Sequence, residues 1–373
     1  MKIGILNGGG DTPSLNAIIY GAAKEAEKKG SKVIGFRRGW QGALDSDYVD
    51  VEAVKNIGQG QFGNPTIVDL NLGGTMLLSS RTKLKGNDID KATENIAAVV
   101  DGLIAIGGDD TLSVGKEISE RSHIPVCLVS KTIDNDVGSN APEGIMDYNK
   151  IVNYFTTGFA TAARKSFQFA YDLGTTSMSH ERIMFMETMG RGPGWLALAS
   201  YKAKPDLILV PEIGLDYEHF LGKLEEIYRK QGYAIVVVAE GVKYKDSDKP
   251  ISQDNTQTDV FGHAKLGGVA ETLAKRVKTD LGIANSNSVN PDYLYRSGDP
   301  CGRDIVTSLN LGYLAADSIM KGITGHVAVL ERQGDEIKAV RMPVNEVLLT
   351  DTDGKIIPRT LDQRFYDKEN YSI

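Results

Sequence analysis

The stretch "DGLIAIGGDD", residues 101–110, running on through "TLSVGKE" to residue 117, decides how the chain is read. An apolar run empties into two glycines and two aspartates and then into a helix-period segment. A run that is apolar at nearly every position is a strand covered on both faces, and a strand feeding a helix through a glycine turn is half of a βαβ unit. The same pattern recurs along the chain. Strand candidates lie at 2–6, 31–36, 102–107, 125–130, 182–187, 206–210, 234–239 and 326–330, many of them separated by segments long enough for a helix. The alternation predicts an α/β protein built from doubly wound, mainly parallel sheets. Residues 134–150 are polar and turn-rich and a helix pattern over 150–171 follows, so the first domain boundary is expected near residue 148.

The chain has 373 residues, 41% hydrophobic and 24% charged, enough for two cores. Its net charge is −7 and no run of Lys and Arg stands out, which argues against a general affinity for nucleic acid or an anionic membrane. Any bound anion must therefore be met by local basic residues. No apolar stretch approaches the roughly 20 residues that span a bilayer. The opening "MKIGILNGGG" runs straight into a strand and glycine turn, and Cys127 and Cys301 lie far apart in the chain. The expectation is a soluble, reduced, cytoplasmic protein.

Ligands of open parallel sheets bind beyond the C-terminal ends of the strands, so the residues after each strand are the ones to inspect. After the first comes "NGGGDTPSLNA" (7–17), where Gly8, Gly9 and Gly10 let backbone approach a phosphate and a helix would start near Ser14. It is not a P-loop, because no Lys-Ser/Thr follows the glycines, and a bare strand-to-helix turn explains it equally well. After 102–107 stand Asp109 and Asp110. Two adjacent acids at a turn repel unless a cation or donors answer them; the plain alternative is an N-cap pair for a helix starting at 112. After 125–130 comes "SKTIDNDV" (130–137), with Lys131, Thr132, Asp134 and Asp136 packed together. A solvated charged loop accounts for the acids but not for their place after a buried strand, opposite another acidic turn.

With these motifs on the page the sequence resembles the phosphofructokinase family, and within it the pyrophosphate-dependent members. "NGGGDTPSLNA", "GGTMLLSSR" (73–81), "GGDDT" (107–111), "KTIDND" (131–136), "TGFATA" (157–162), "SHER" (179–182), "METMGR" (186–191), "PE" (211–212), "VVVAEG" (236–241) and an element around Arg296 occur in the family's order. GGDG-like turns also occur in NAD kinases and lipid kinases; ten motifs in register are far more specific. The resemblance implies two doubly wound domains, residues 1–147 with 295–347 for the phosphoryl donor and 148–294 with 348–373 for the sugar phosphate, with the active site in the cleft between them. Phosphoryl transfer asks for charge neutralisation, an aligned acceptor oxygen and a base. By resemblance, Asp134 is the base that takes the proton of the sugar 1-hydroxyl. Asp109 holds Mg²⁺ and Asp136 helps hold or orient that region. Arg81 stabilises the transferring phosphoryl group with Thr132 nearby, and Gly10 gives the donor close backbone approach. A surface salt bridge is the plain alternative for Arg81.

The same resemblance implies the donor. Members that use ATP have Gly at the place of Asp110, leaving room for the nucleotide's α-phosphate. A carboxylate there occupies that space and repels the anion, whereas pyrophosphate has no third phosphate to lose. Lys131 adds a positive charge where many ATP users have Gly, although some ATP users carry Lys there too. Asp110 and Lys131 are expected to pair with each other.

On the acceptor side, Arg182, Met189, Gly190, Arg191, Glu240, Tyr293 and Arg296 match residues that surround fructose 6-phosphate, though "MGRGPG" also makes a helix-opening turn without any ligand. Three features depart from the family. Tyr295, Arg296, Ser297 and Gly298 replace a Gln-Arg-Gly-Gly run, Ser130 stands where Pro commonly precedes Lys131, and Asn287 stands where a neighbouring subunit usually supplies a basic side chain. Losing that cation weakens the phosphate site and leaves the sugar phosphate open. Tyr20 and Lys24 replace effector-site arginines of bacterial ATP-using relatives. The resemblance further implies a homodimer or homotetramer. The expected activity is diphosphate–fructose-6-phosphate 1-phosphotransferase, Mg²⁺-dependent and reversible. The alternatives are an ATP-dependent phosphofructokinase or kinase of a related sugar phosphate, and a catalytically silent sugar-phosphate-binding subunit.

Overall fold

A computed structural model describes residues 1–53, 66–143, 145, 147–251, 254–258, 264–265 and 267–372. The chain forms two compact units, Met1–Thr161 with Arg296–Arg359, and Ala162–Tyr295 with Thr360–Ile373. In chain order the elements are β1 Lys2–Asn7, α1 Leu15–Lys28, β2 Lys32–Phe36, α2 Trp40–Asp45, β3 Tyr48–Ala53, β4 Ile67–Val68, α3 Asn87–Val99, β5 Gly102–Gly107, α4 Asp109–Arg121, β6 Val126–Thr132, β7 Thr157–Gly158 and α5 Phe159–Ser179. They continue as β8 Ile183–Thr188, α6 Trp195–Ala199, β9 Leu207–Leu209, α7 Tyr217–Gln231, β10 Ala234–Ala239, β11 Asp254–Thr258, β12 Ala264–Lys265, α8 Val269–Leu281 and β13 Ser286–Val289. The last are α9 Gly302–Met320, β14 His326–Gln333, β15 Glu336–Pro343 and α10 Val344–Val347.

The sheet of the first unit runs β15-β14-β6-β5-β1-β2-β3-β4, with β7 paired to β6. Its centre is parallel, and the β14–β15 and β2–β3 pairs are antiparallel. One apolar cluster joins β1 to α1 and α9, and another joins β5 and β6 to α3 and α4. Both faces are thus covered, which is why these strands read as unbroken apolar runs. The sheet of the second unit, β13-β8-β10-β9, is wholly parallel. Its core draws on β8, β9 and β10, on α7 and α8, and on Leu361, Tyr366 and Tyr371 of the C-terminal segment. Among the described residues no helix is long and apolar enough to cross a membrane.

Several expectations shift. The chain crosses between units after 161, 295 and 359, where boundaries were expected after 147, 294 and 347; residues 148–161 and 348–359 group with the first unit and Tyr295 with the second. Thr157–Gly158 pairs with Lys131 and Thr132, and Leu348 enters a core cluster of the first unit. The helix expected over 150–171 is α5, Phe159–Ser179. Asn153 holds the residues before it in the loop by donating to Ser130 Oγ (3.0 Å) and the Val137 carbonyl (2.9 Å). The helix opens where the buried Asp304 carboxylate accepts from the Gly158 and Thr161 N–H groups (3.0 and 2.7 Å). Helix α4 starts at Asp109 with Gly108 as its N-cap, not at 112, so both acids lie within its first turn. Strands β3, β13 and β15, absent from the sequence reading, are short or half exposed, and their mixed polarity hides the strand signal.

Candidate active site

In the first unit the chain leaves β1 toward β2 on one side while β5 takes the other side of β1. The loops after β1 and β5 therefore diverge and open a crevice, the place where a doubly wound sheet binds its ligand. Gly8–Gly10 line one side of this switch point and Gly108–Asp110 the other. The Gly8 N–H donates to the Ile106 carbonyl (2.9 Å), tying the two loops together. The segment ending in Arg81 is laced to the same loop. Gly9 N–H donates to the Ser80 carbonyl (3.0 Å), Ser79 Oγ to the Gly9 carbonyl (2.6 Å), and Thr75 Oγ1 to Asn7 Oδ1 (2.7 Å). Arg81, exposed, follows directly.

Lys131, at the end of β6, is only 3% exposed. Its Nζ donates to the carbonyls of Gly8 (3.2 Å) and Gly10 (2.5 Å). The expected pair between Lys131 and Asp110 is absent: Asp110 accepts from Lys83 Nζ instead (2.5 Å), both side chains being nearly half exposed. The separation follows from position, since Lys131 points under the glycine loop while Asp110 sits on the outer first turn of α4. Burial, and then the Arg296 guanidinium, pull the Lys131 pKa down to about 7, with Asp11, Asp134 and Asp136 pulling it up. Arg296, expected on the sugar phosphate, lies against the donor loop. Its Nη1 faces the Asp11 carbonyl at 3.5 Å, and a Cβ on Gly10 would lie 2.7 Å from that nitrogen. A side chain at Gly10 would displace the guanidinium from this place. The buried Nε of Arg296 has no hydrogen-bond partner.

Three carboxylates answer these cations. Asp109 Oδ1 accepts from the Asp110 N–H (2.8 Å). Its carboxyl is raised above the ordinary range by loss of surrounding water, then by the charges of Asp110 and Asp134, with Lys83 opposing. Asp136 is raised by burial first, then by Asp134 and Asp109, with Thr132 among the groups opposing. Thr132 Oγ1 accepts from the Asp134 N–H (3.1 Å), leaving its proton to donate elsewhere. Oδ1 of Asp134 and Oδ1 of Asp136 are buried without a hydrogen-bond partner. Buried carboxylate oxygens left bare and mutually repelling fit a site completed by a hard cation, so the residues present suit Mg²⁺. Among the described residues no three His, Cys, Asp or Glu side chains form a ready metal cage. The ion would thus complete its shell with water and donor oxygens, as Mg²⁺ commonly does.

The second unit repeats the arrangement. β9 and β10 lie to one side of β8 and β13 to the other, so the ends of β8 and β10 flank its switch point. Met189, Gly190 and Arg191 leave β8 there, and Glu240 leaves β10. Gly190 N–H faces Glu240 Oε1 (3.3 Å), Glu240 N–H donates to the Thr188 carbonyl (2.9 Å), and Gly241 N–H to the Gly190 carbonyl (3.2 Å). Gly190 has φ +138°, a conformation closed to other residues. Tyr293 is 67% exposed, whereas Tyr295 is fully buried and donates to the Glu187 carbonyl (3.2 Å). Arg182 lies elsewhere. It precedes β8, whereas Met189 follows it, which puts them roughly 20 Å apart along the strand. Its Nη1 donates to Thr176 Oγ1 (2.9 Å). Asn287, opposite Met184 on β13, shares that far end.

Sequence reasoning missed Lys83 and Arg359. Lys83 stands two residues past Arg81 in "RTKLK", a basic alternation that offers a signal once Asp110 is suspected of wanting a partner. Arg359, in "IIPRTLD", carries no local signal; it contacts the loop at 135 across more than two hundred residues of sequence.

A sequence model described as phosphofructokinase matches residues 2–319. A pyrophosphate–fructose 6-phosphate 1-phosphotransferase of Dictyoglomus thermophilum is 36% identical over 375 residues, covering 98% of this chain and 97% of its own. An ATP-dependent 6-phosphofructokinase of Streptomyces coelicolor is 33% identical over 350 residues, covering 92% and 94%. Among solved structures, a pyrophosphate-dependent phosphofructokinase from Marinobacter aquaeolei superposes with a TM-score of 0.78 at 21% identity, covering 100% of this chain and 88% of that one. At that identity the match speaks for the fold.

Proposed function

Because the chain belongs to the phosphofructokinase family, we propose that it transfers a phosphoryl group reversibly from pyrophosphate to the 1-hydroxyl of fructose 6-phosphate. Relatives of similar identity carry both donor names, so the choice of donor rests on this chain's own residues. The observation that carries it is Asp110, a carboxylate on the first turn of α4 paired with Lys83, at the position where the resemblance puts a nucleotide's α-phosphate. A fixed negative charge there disfavours a three-phosphate donor and leaves a two-phosphate donor untouched.

In this reading Asp134 takes the proton of the 1-hydroxyl. The freed oxygen bonds to the outer phosphorus of pyrophosphate, the bridging P–O bond breaks, and phosphate leaves. Asp109 would hold Mg²⁺ with Asp136 beside it, and the ion when bound neutralises donor oxygens. Arg81, Thr132 and the backbone at Gly10 stabilise the transferring group, while Lys131 and Arg296 set the charge of the loop from beneath. Met189, Gly190, Arg191, Glu240 and Tyr293 address the sugar phosphate. Arg182 and Asn287 serve the site of a second copy, since they stand at the opposite end of β8 from that group; a homodimer or homotetramer follows from that sharing. The enzyme works in the cytoplasm.

The test is steady-state kinetics on the purified protein with Mg²⁺ and fructose 6-phosphate, comparing pyrophosphate with ATP. A kcat/KM at least tenfold higher for pyrophosphate is expected. A higher value for ATP would overturn the donor.

A further inference from the structure

The carboxylates of Asp134 and Asp136 have buried Oδ1 atoms with no hydrogen-bond partner, so those oxygens are placed by the backbone that carries them. Asn135, between them, has φ +58°, a left-handed conformation that asparagine takes more readily than most residues other than glycine. Its side chain is held by the Thr156 N–H, which donates to Asn135 Oδ1 (3.0 Å), and by Arg359. Arg359 is 4% exposed. Its Nε donates to the Asn135 carbonyl (3.0 Å) and its Nη2 to Asn135 Oδ1, while Nη1 donates to the Asn153 carbonyl (2.6 Å). Its backbone N–H donates to the Asp136 carbonyl (2.7 Å). The second segment gripped, at Asn153, runs close beside the loop. Asn153 also has a positive φ, +55°, and the crossing is so close that a Cβ on Gly138 would lie 2.2 Å from the Val152 carbonyl. A planar fork of fixed donors suits such a clasp, whereas an ammonium offers a single point.

We propose that Arg359 is the positioning residue of the Thr132–Asp136 loop, clasping Asn135 so that Asp134 and Asp136 are held for the reaction with one oxygen of each carboxylate left without a hydrogen-bond partner. The inference rests on the reading of Asp134 as the base. Arg359 touches no substrate; it acts through Asn135. Burial lowers its pKa to about 10, with Asp136 opposing, so the guanidinium stays charged at neutral pH and adds a fixed positive charge behind the acids. The chain passes into the second unit directly after it, at Thr360.

The experiment measures kcat and KM for Arg359→Ala, Arg359→Lys, Asp134→Ala and Asp134→Ala with Arg359→Ala, using whichever of pyrophosphate and ATP the wild type uses better. Displacing a catalytic group by about 1 Å costs on the order of 10²-fold, so Arg359→Ala should lose about that much kcat with KM values within about threefold. Arg359→Lys, which keeps the charge and loses the fork, should fall between Ala and wild type. In the Asp134→Ala background, Arg359→Ala should cost little more, because two residues acting through one carboxylate are not additive. A merely structural arginine would lower the melting temperature and add its full cost in both backgrounds, and that result overturns the inference. Should Arg359→Ala fail to fold, a folded Arg359→Lys with full kcat overturns it equally. If Asp134→Ala itself keeps full turnover, the base assignment fails instead, a distinct outcome.

Discussion

Replacing Asp110 by Gly tests the donor gate most directly. The carboxylate pairs with Lys83, and the two side chains are 42% and 49% exposed, so losing an ion pair of this kind costs about 0–1 kcal/mol. Glycine in the first turn of α4 adds at most about 1 kcal/mol, and the protein should remain folded. An added phosphate charge about 5 Å from the carboxylate, at an effective dielectric of about 20, is repelled by about 3 kcal/mol. Lys83 cancels part of this, leaving about 1.4–2.7 kcal/mol, or a gain of about 10- to 100-fold in kcat/KM for ATP. Pyrophosphate use should change by less than about threefold, because Lys131 is held by the Gly8 and Gly10 carbonyls and loses no partner, as kinetics under uniform binding would report. The assay is kcat/KM for both donors in wild type and variant at one Mg²⁺ concentration. A variant with no gain in ATP use refutes the gate. A tenfold loss of pyrophosphate use would show that Lys131 is oriented through Asp110 after all.

Asp134→Ala should lower kcat by about 10²–10⁴-fold, the usual worth of a positioned base, with the circular dichroism spectrum and the binding of fructose 6-phosphate unchanged; full turnover removes it from that role. Asn287→Lys should lower the KM for fructose 6-phosphate by restoring a cation beside Arg182, and an unchanged KM alongside a much better alternative sugar phosphate would reassign the acceptor. Asp136 and Asp109 have folded-state pKa values raised above the ordinary carboxylate range. Between that range and the raised values the folded protein keeps protons that the unfolded chain has lost, so stability falls as pH rises through the window. Without Mg²⁺ the melting temperature should therefore decline above about pH 4 as these groups ionise, and Asp136→Asn should flatten the decline. Mg²⁺ competes with those protons, so it should raise the melting temperature more at about pH 8 than at about pH 5.5; an equal rise at both would remove the carboxylates from the metal site.

The sequence by itself determined the strands that are buried on both faces. Residues 102–107 and 234–239 read as strands because nothing polar interrupts them, and the parallel order followed from the helices between. It also put glycines and acids in the loops after buried strands, and the structure gathers Gly8–Gly10, Asp109 and Lys131 around one switch point. Four decisions needed the tertiary structure. The start of α5 depends on Asp304, more than a hundred residues away, whose carboxylate satisfies the N–H groups at 158 and 161; hydrophobic period alone extends the helix backward. The partner of Asp110 is Lys83 rather than Lys131, because side chains that are near in charge logic point to opposite faces of the loop. Arg182 sits at the far end of β8 from Met189, a separation set by strand length and invisible in a motif match. Arg359 reaches the loop at Asn135 only because the chain returns there before entering the second unit. Local pattern reports burial and turn chemistry within a few residues. Which cation meets which carboxylate is settled by packing between segments far apart in the chain, and a sequence read in one dimension does not hold that information.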